Sequence, residues 1–169
     1  MTEAAVLRRR IRFFLWLFVV GLVLSGLTAF PLAWETTLLY QWVSTLSPPI
    51  SGWPSLVAWV GRVHQGLSET YARYPFIAYG TDWLAFAHVI IAIAFVGPLR
   101  DPVRNRWVIE WGLAACALVL PLALICGPLR GIPLFWRAID CSFGVVGAVP
   151  LWLCRRWTLR LEALTRPGM

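Results

Sequence analysis

Four ionisable residues lie inside otherwise apolar stretches of this sequence: Asp82, His88, Glu110 and Asp140. Placing such a side chain in hydrocarbon costs about 2.5–3.5 kcal/mol for a central Asp on insertion scales, so each is a candidate for function. A histidine there could ligate a haem or another metal centre, carry a proton, or serve as a hydrogen-bonded core residue. These four residues hold most of the chemistry that the apolar stretches could perform.

Two of the acids have basic side chains nearby in the sequence. Arg137 precedes Asp140 by three residues, and Arg130 lies in the short connection before the same apolar stretch. Asp82 is expected at a similar depth, and unpaired buried charge is unfavourable, so ion pairing is one hypothesis. The alternative is a polar pocket, open to the outer face, that holds an anionic headgroup or a small solute. The candidate ligand-binding residues are Asp82, His88, Arg130, Arg137 and Asp140.

The fourth ionisable residue, Glu110, follows Arg106 by one helical turn. A pair at this spacing stabilises a helix, and a negative charge near the helix start complements the helix dipole. We therefore expect a structural Arg106–Glu110 ion pair rather than a catalytic role. The sequence lacks G-x-S-x-G, H-E-x-x-H, P-loop and G-x-G-x-x-G motifs, so it predicts no catalytic or metal site.

The composition points to lipid as the solvent. Hydrophobic residues make up 59% of the 169 residues and charged residues 14%, against about 25% charged in soluble domains. The mean hydropathy is +0.70. Such a chain cannot cover a water-exposed globule with polar surface, which excludes a disordered chain and disfavours a soluble enzyme. The four cysteines show no C-x-x-C spacing, and we expect all four to be small core residues.

Apolar stretches predict four membrane spans, at about residues 12–32, 76–96, 107–126 and 138–154. The region 33–74 is mixed and is interrupted at Pro48-Pro49 and Gly52. Within it, Pro54–Tyr74 shows the helical periodicity of an amphipathic helix. The predicted fold is an all-α integral membrane protein. It is a four-transmembrane-helix bundle with one or two interfacial amphipathic helices between the first two spans, forming a single membrane domain over 1–169.

The distribution of arginine predicts the orientation. The chain has fifteen Arg and no Lys, and eleven Arg flank the spans on the side of the two termini, against four on the other side. By the positive-inside rule both termini are cytoplasmic, and the region 33–74 lies on the non-cytoplasmic face. Heavy use of Arg, Ala, Leu, Trp and Gly indicates a GC-rich bacterial genome, hence a bacterial inner membrane. Because the Arg residues flank spans, membrane lipids are the expected partners and nucleic acid is not.

Three classes of function remain open. We expect a non-enzymatic subunit or assembly partner of a membrane complex, which packs against other membrane chains or itself through faces of small residues. The alternative is a small transporter or ligand-binding module that uses the Asp/Arg/His residues named above. The third is a lipid-acting intramembrane enzyme or a haem-bearing redox protein, so the cofactor stays undetermined.

Overall fold

The computed structural model describes residues 2–45 and 54–165, and these residues form helices without any strand. The predicted all-α class is confirmed for this part of the chain. A 3₁₀ turn (Pro75–Ala78) precedes α4, and a π-helical turn (Leu122–Cys126) joins α6 to α7. The α-helices of the described residues are α1 (Glu3–Ala29), α2 (Leu32–Thr45), α3 (Pro54–Arg73), α4 (Tyr79–Ala94), α5 (Val96–Arg100), α6 (Arg106–Pro121), α7 (Gly127–Leu129) and α8 (Leu134–Thr165).

Four helical segments are long and apolar enough to cross a membrane: Glu3–Ala29, Pro75–Arg100, Arg106–Leu129 and Leu134–Thr165. Three of the predicted spans lie within these segments, and the first, at 12–32, overlaps Glu3–Ala29 but runs past its end. The helices extend beyond the apolar stretches because arginine is a good helix former and backbone hydrogen bonding does not stop where hydropathy falls. Thus α8 continues past Arg155 and Arg156 for more than two further turns.

The predicted amphipathic segment is helical, and it packs against the helix before it. Pro54 occupies the first position of α3, where its missing N–H removes no hydrogen bond. Gly61 of α3 lies against the ring of Tyr40 in α2, so the two helices approach closely. The interruption predicted at Pro48-Pro49 and Gly52 lies outside the described residues.

The chain divides into two compact units. The first comprises Met1–Leu22 and Ile91–Met169, and the second comprises Val23–Ile90. The single membrane domain expected over residues 1–169 stays a prediction.

The core of the first unit is built from α1, α6 and α8. Ile11 and Leu15 are fully buried and lie four residues apart on α1, so they share one helix face. The Cys154 thiol of α8 donates a hydrogen bond to the Ile11 carbonyl, with a sulfur–oxygen distance of 3.6 Å. Further fully buried side chains in this unit are Phe95, Pro98, Ile109, Leu151, Thr158 and Leu161.

Helices α6 and α8 form the tightest helix pair of the first unit. A Cβ added to Gly144 of α8 would lie 2.5 Å from the Cys116 carbonyl oxygen and 3.3 Å from the Val119 Cβ. Only a residue without a side chain allows this approach of helix to backbone. The contact fixes how α6 and α8 sit against each other, and two cavities lie beside this helix pair.

Candidate functional site

A cavity of about 200 Å³ lies where the end of α6 meets the first turns of α8, in the first unit. Its walls are mostly apolar, with one basic and one acidic residue. The lining residues are Val119, Leu122, Ala123, Cys126, Gly127, Arg130, Ile132 and Asp140. Two of the five predicted ligand-binding residues, Arg130 and Asp140, are therefore brought together at one cavity.

The local sequence explains how the chain turns around this cavity. Pro121 lacks a backbone N–H, and the helix continues after it as the π-helical turn. The chain then reverses at Gly131, whose φ of +69° is a left-handed conformation that glycine adopts without strain. Arg130 lies on one side of this reversal at the exposed rim, and Asp140 lies on α8 on the other side. The reversal thus places the two charged residues at the same cavity.

The two charges at the cavity are not paired. Within residues 2–45 and 54–165, no ion pair joins Asp140 to Arg130 or Arg137, and the Asp140 carboxylate accepts no hydrogen bond. The predicted salt-bridge network of these residues is therefore absent from the described chain. The Arg137 side chain is instead packed on Gly127, and Arg130 lies at the exposed rim. Asp140 is half-buried and keeps its hydrogen-bonding capacity for another group.

Arg137 is held beside the cavity without lining it. Its aliphatic stem packs directly on Gly127, where an added Cβ would lie 2.7 Å from the Arg137 Cγ. Its Nε is buried and has no hydrogen-bond partner among the residues that the structure describes. Gly127 itself lines the cavity, so Arg137 lies behind that wall and adds positive charge near it.

Asp82 and His88 belong to the second unit. The Nδ1 of His88 lies 2.7 Å from the Leu84 carbonyl oxygen, and since a carbonyl only accepts, Nδ1 carries the proton. The backbone of α1 packs on the same residue, because a Cβ at Gly26 would lie 2.7 Å from the His88 Cβ. Asp82 is half-buried, and its carboxylate has no partner among the described side chains. His88 is therefore a packed residue whose Nδ1 is hydrogen-bonded, and its Nε2 has no hydrogen bond to the described residues.

The other histidine, His64, belongs to a cluster between α2 and α3. Its ring stacks on Tyr40, with ring centroids 5.1 Å apart and an interplanar angle of 13°. Its Nδ1 lies 3.4 Å from the Thr37 hydroxyl. Sequence reasoning did not identify Tyr40 and Thr37 as its neighbours, because the pairing of α2 with α3 is a tertiary contact that periodicity does not reveal.

A charge network occupies the opposite end of the first unit. Arg106 Nε lies 3.4 Å from Glu110 Oε1, the pair at helical spacing. Glu110 also pairs with Arg155 at 3.0 Å, and Arg106 pairs with Glu162 at 2.7 Å. These contacts join α6 to the last turns of α8, so the charges satisfy one another.

The cysteines differ in how far they are buried. Cys154 is fully buried, but Cys126 is exposed and lines the cavity, so the expectation of four core cysteines is wrong for Cys126. Its position follows from the π-helical turn, which rotates residues 122–126 away from the α-helical register. No group of three His, Cys, Asp or Glu side chains in the described ranges could hold a metal ion.

Comparison of the chain with protein-family models, with curated proteins and with solved structures found no match in any of the three.

Proposed function

We propose that the chain is a four-span integral membrane protein of a bacterial inner membrane, with both termini cytoplasmic. Four helices of sufficient length and apolarity support this proposal, together with the asymmetric distribution of Arg. Within the first unit, ion pairs of Arg160 with Glu3 and of Arg106 with Glu162 join the start of α1, the start of α6 and the end of α8. These are the segments that the topology assigns to one membrane side. By the same topology, we place the region 33–74 on the non-cytoplasmic face.

The function that we propose is that of a non-enzymatic subunit or assembly partner of a membrane complex. The observation that carries it is the small share of buried residues in one window of α8. In the most apolar 18-residue window of α8, 11% of the residues are buried, against 22% in each of the other three candidate spans. This window, and not the whole of α8, is the part of the four candidate spans that the described residues cover least, and it offers the best surface for another membrane chain.

The exposed surface of α8 includes a stripe at helical spacing. Ile139, Phe143 and Val146 recur at intervals of four and three residues and therefore share one face. Phe143 is 67% exposed and Val146 is 69% exposed. Lipid tails are as apolar as this stripe, so the hydrophobic effect does not favour a protein partner over lipid. Association with a second helix must therefore come from close packing between complementary surfaces. An experiment therefore has to separate a helix partner from lipid.

The test compares two double variants in native membranes solubilised in a mild detergent. Phe143→Ala with Val146→Ala removes the stripe on α8. Phe13→Ala with Leu17→Ala removes an equally exposed pair on α1 and serves as the matched control. We expect the parent and the control to migrate in a complex well above the 19.1 kDa of one chain, and the α8 variant to fall to the monomer. A monomeric parent, or equal dissociation of both variants, would contradict the proposal.

A second candidate function is that of a ligand-binding module, and the cavity at Arg130 and Asp140 favours it. A cavity with a few convergent polar groups and otherwise apolar walls is the usual form of a small-ligand site. Both residues face it without a protein partner among the described residues. The two candidates are compatible, because the α8 stripe and the cavity use different residues.

A further inference from the structure

We propose that the cavity at the end of α6 and α8 binds a phosphoethanolamine headgroup, with Arg130 at the phosphate and Asp140 at the primary ammonium. The inference rests on the second candidate function above and names its ligand class. It follows from which charges line the cavity and which groups are missing from its walls.

The charges favour a zwitterion. The walls carry one guanidinium and one carboxylate, and neither is neutralised by the other. Arg137, behind the Gly127 wall, adds positive charge that a phosphate also offsets. A simple anion would be attracted by Arg130 but repelled by the Asp140 carboxylate. A simple cation would be attracted by Asp140 but repelled by Arg130. A ligand with an anionic and a cationic group satisfies both side chains at once. A guanidinium can donate two hydrogen bonds to one phosphate, and a carboxylate accepts from an ammonium N–H.

The lining also favours ethanolamine over choline. A quaternary ammonium has no N–H to donate, and proteins hold it against aromatic faces. None of the described residues that line this cavity is aromatic. A half-buried carboxylate that accepts no hydrogen bond instead suits a primary ammonium, which donates three.

A second cavity beside α6 and α8 does not extend the headgroup site. It has a volume of about 520 Å³, and its lining, which includes Leu113, Leu120 and Val149, is apolar. The Gly144 contact with Val119 lies between the two cavities. The headgroup assignment therefore rests on the first cavity alone, and a lipid and a free solute with the same headgroup are distinguished by the test.

Cys126 provides a reporter for the test because it is exposed and lines the cavity. Cys116→Ala and Cys141→Ala remove the two other partly accessible thiols, and Cys154 is fully buried. The full chain is reconstituted in nanodiscs of phosphatidylglycerol alone, or of phosphatidylglycerol mixed equally with phosphatidylethanolamine or with phosphatidylcholine. The rate of Cys126 modification by a small maleimide is then measured in each.

We expect phosphatidylethanolamine, but not phosphatidylcholine, to slow the reaction about fivefold, as mass action gives when the ligand is at four times its Kd. Asp140→Asn and Arg130→Gln should each abolish the protection. Arg156→Gln, on the same helix but stacked over Trp152, should retain it. Tryptophan fluorescence of each reconstituted variant verifies folding, so a variant that loses protection while folded supports the inference.

Three outcomes would overturn it. Equal rates with phosphatidylethanolamine and phosphatidylcholine, both slower than in phosphatidylglycerol alone, would show that the cavity does not select between these headgroups. Equal rates in all discs that are slower than those of Arg130→Gln and Asp140→Asn would show a ligand site that phosphatidylglycerol already fills. Equal rates in all discs that match those of the two variants would remove the ligand-binding candidate as well. Protection by water-soluble glycerophosphoethanolamine in phosphatidylglycerol discs, as strong as that by the lipid, would support the headgroup chemistry and assign it to a free solute.

Discussion

Arg130 and Asp140 line one cavity, yet no ion pair joins them. At the other end of the same unit, Glu110 pairs with both Arg106 and Arg155. The chain therefore neutralises its charges within itself at one end of α6 and α8 and leaves two opposite charges unpaired at the other. This contrast is the structural basis for assigning a structural role to one end and ligand binding to the other.

The first prediction concerns topology. Because the Arg residues concentrate beside the two termini, a reporter that works only in the cytoplasm should be active when it is fused after Met169. A reporter that works only on the opposite side of the membrane should be active when it is inserted after Ser51. Alkaline phosphatase and green fluorescent protein fusions measure both. Two reporters on the same side would remove the four-span topology.

The second prediction concerns the approach of α6 to α8. Gly144→Ala places a methyl group against the Cys116 carbonyl oxygen, so the helices must move apart. Overpacking of this kind costs about 1–3 kcal/mol, and we expect a lower melting temperature in detergent. Gly21→Ala is the matched control, because nothing lies within 4 Å of an added Cβ there. If both variants melt like the parent, the close approach does not exist in solution.

The third prediction concerns the charge network. Glu110→Gln removes two ion pairs whose side chains are partly exposed, so the expected loss of stability is about 1 kcal/mol or less. The difference from the parent should shrink as sodium chloride is raised, because salt screens partly exposed charges. Glu3→Gln breaks a more exposed pair with Arg160 and should change nothing measurable. A Glu110→Gln loss of several kcal/mol, independent of salt, would indicate a buried role.

The fourth prediction concerns Asp140 and Arg137. Since no ion pair joins them in the described chain, the coupling energy between Asp140→Asn and Arg137→Gln should stay well below the roughly 3–5 kcal/mol that breaking a buried ion pair costs. A double-mutant cycle by thermal unfolding measures this. Restoration of stability in the double variant would show that the two residues are paired after all.

The fifth prediction concerns His88. Its ring is packed at the approach of Gly26, and its Nδ1 bonds only to the backbone of its own helix. His88→Leu is a substitution of similar size, so it should cost no more than about 2 kcal/mol and leave Cys126 protection unchanged. Loss of a visible absorption band on this substitution would instead identify a haem ligand.

The sequence predicted the helices well because twenty consecutive apolar residues are a local property. It did not predict where they end, since α8 keeps its hydrogen-bond ladder through Arg155 and Arg156. It also failed for Cys126, because a position in an apolar stretch does not show whether a side chain faces the protein or its surroundings.

The candidate site was only partly accessible to sequence reasoning. Arg130 and Asp140 were identified from their position beside and inside an apolar span, which is a local signal. Their convergence on one cavity depends on the chain reversal at Gly131, and their lack of an ion pair depends on how the side chains pack, which the sequence does not show. The contacts of Glu110 with Arg155 and of Arg106 with Glu162 join residues far apart in the chain, and no spacing rule predicts them.

The most direct measurement is native mass spectrometry of the chain extracted from membranes that contain phosphatidylethanolamine, phosphatidylglycerol and phosphatidylcholine. We expect the parent to retain a single phosphatidylethanolamine, Asp140→Asn and Arg130→Gln to lose it, and Arg156→Gln to keep it. A parent that retains no lipid, or one that retains the three lipids in proportion to their abundance, would contradict the assignment of the cavity.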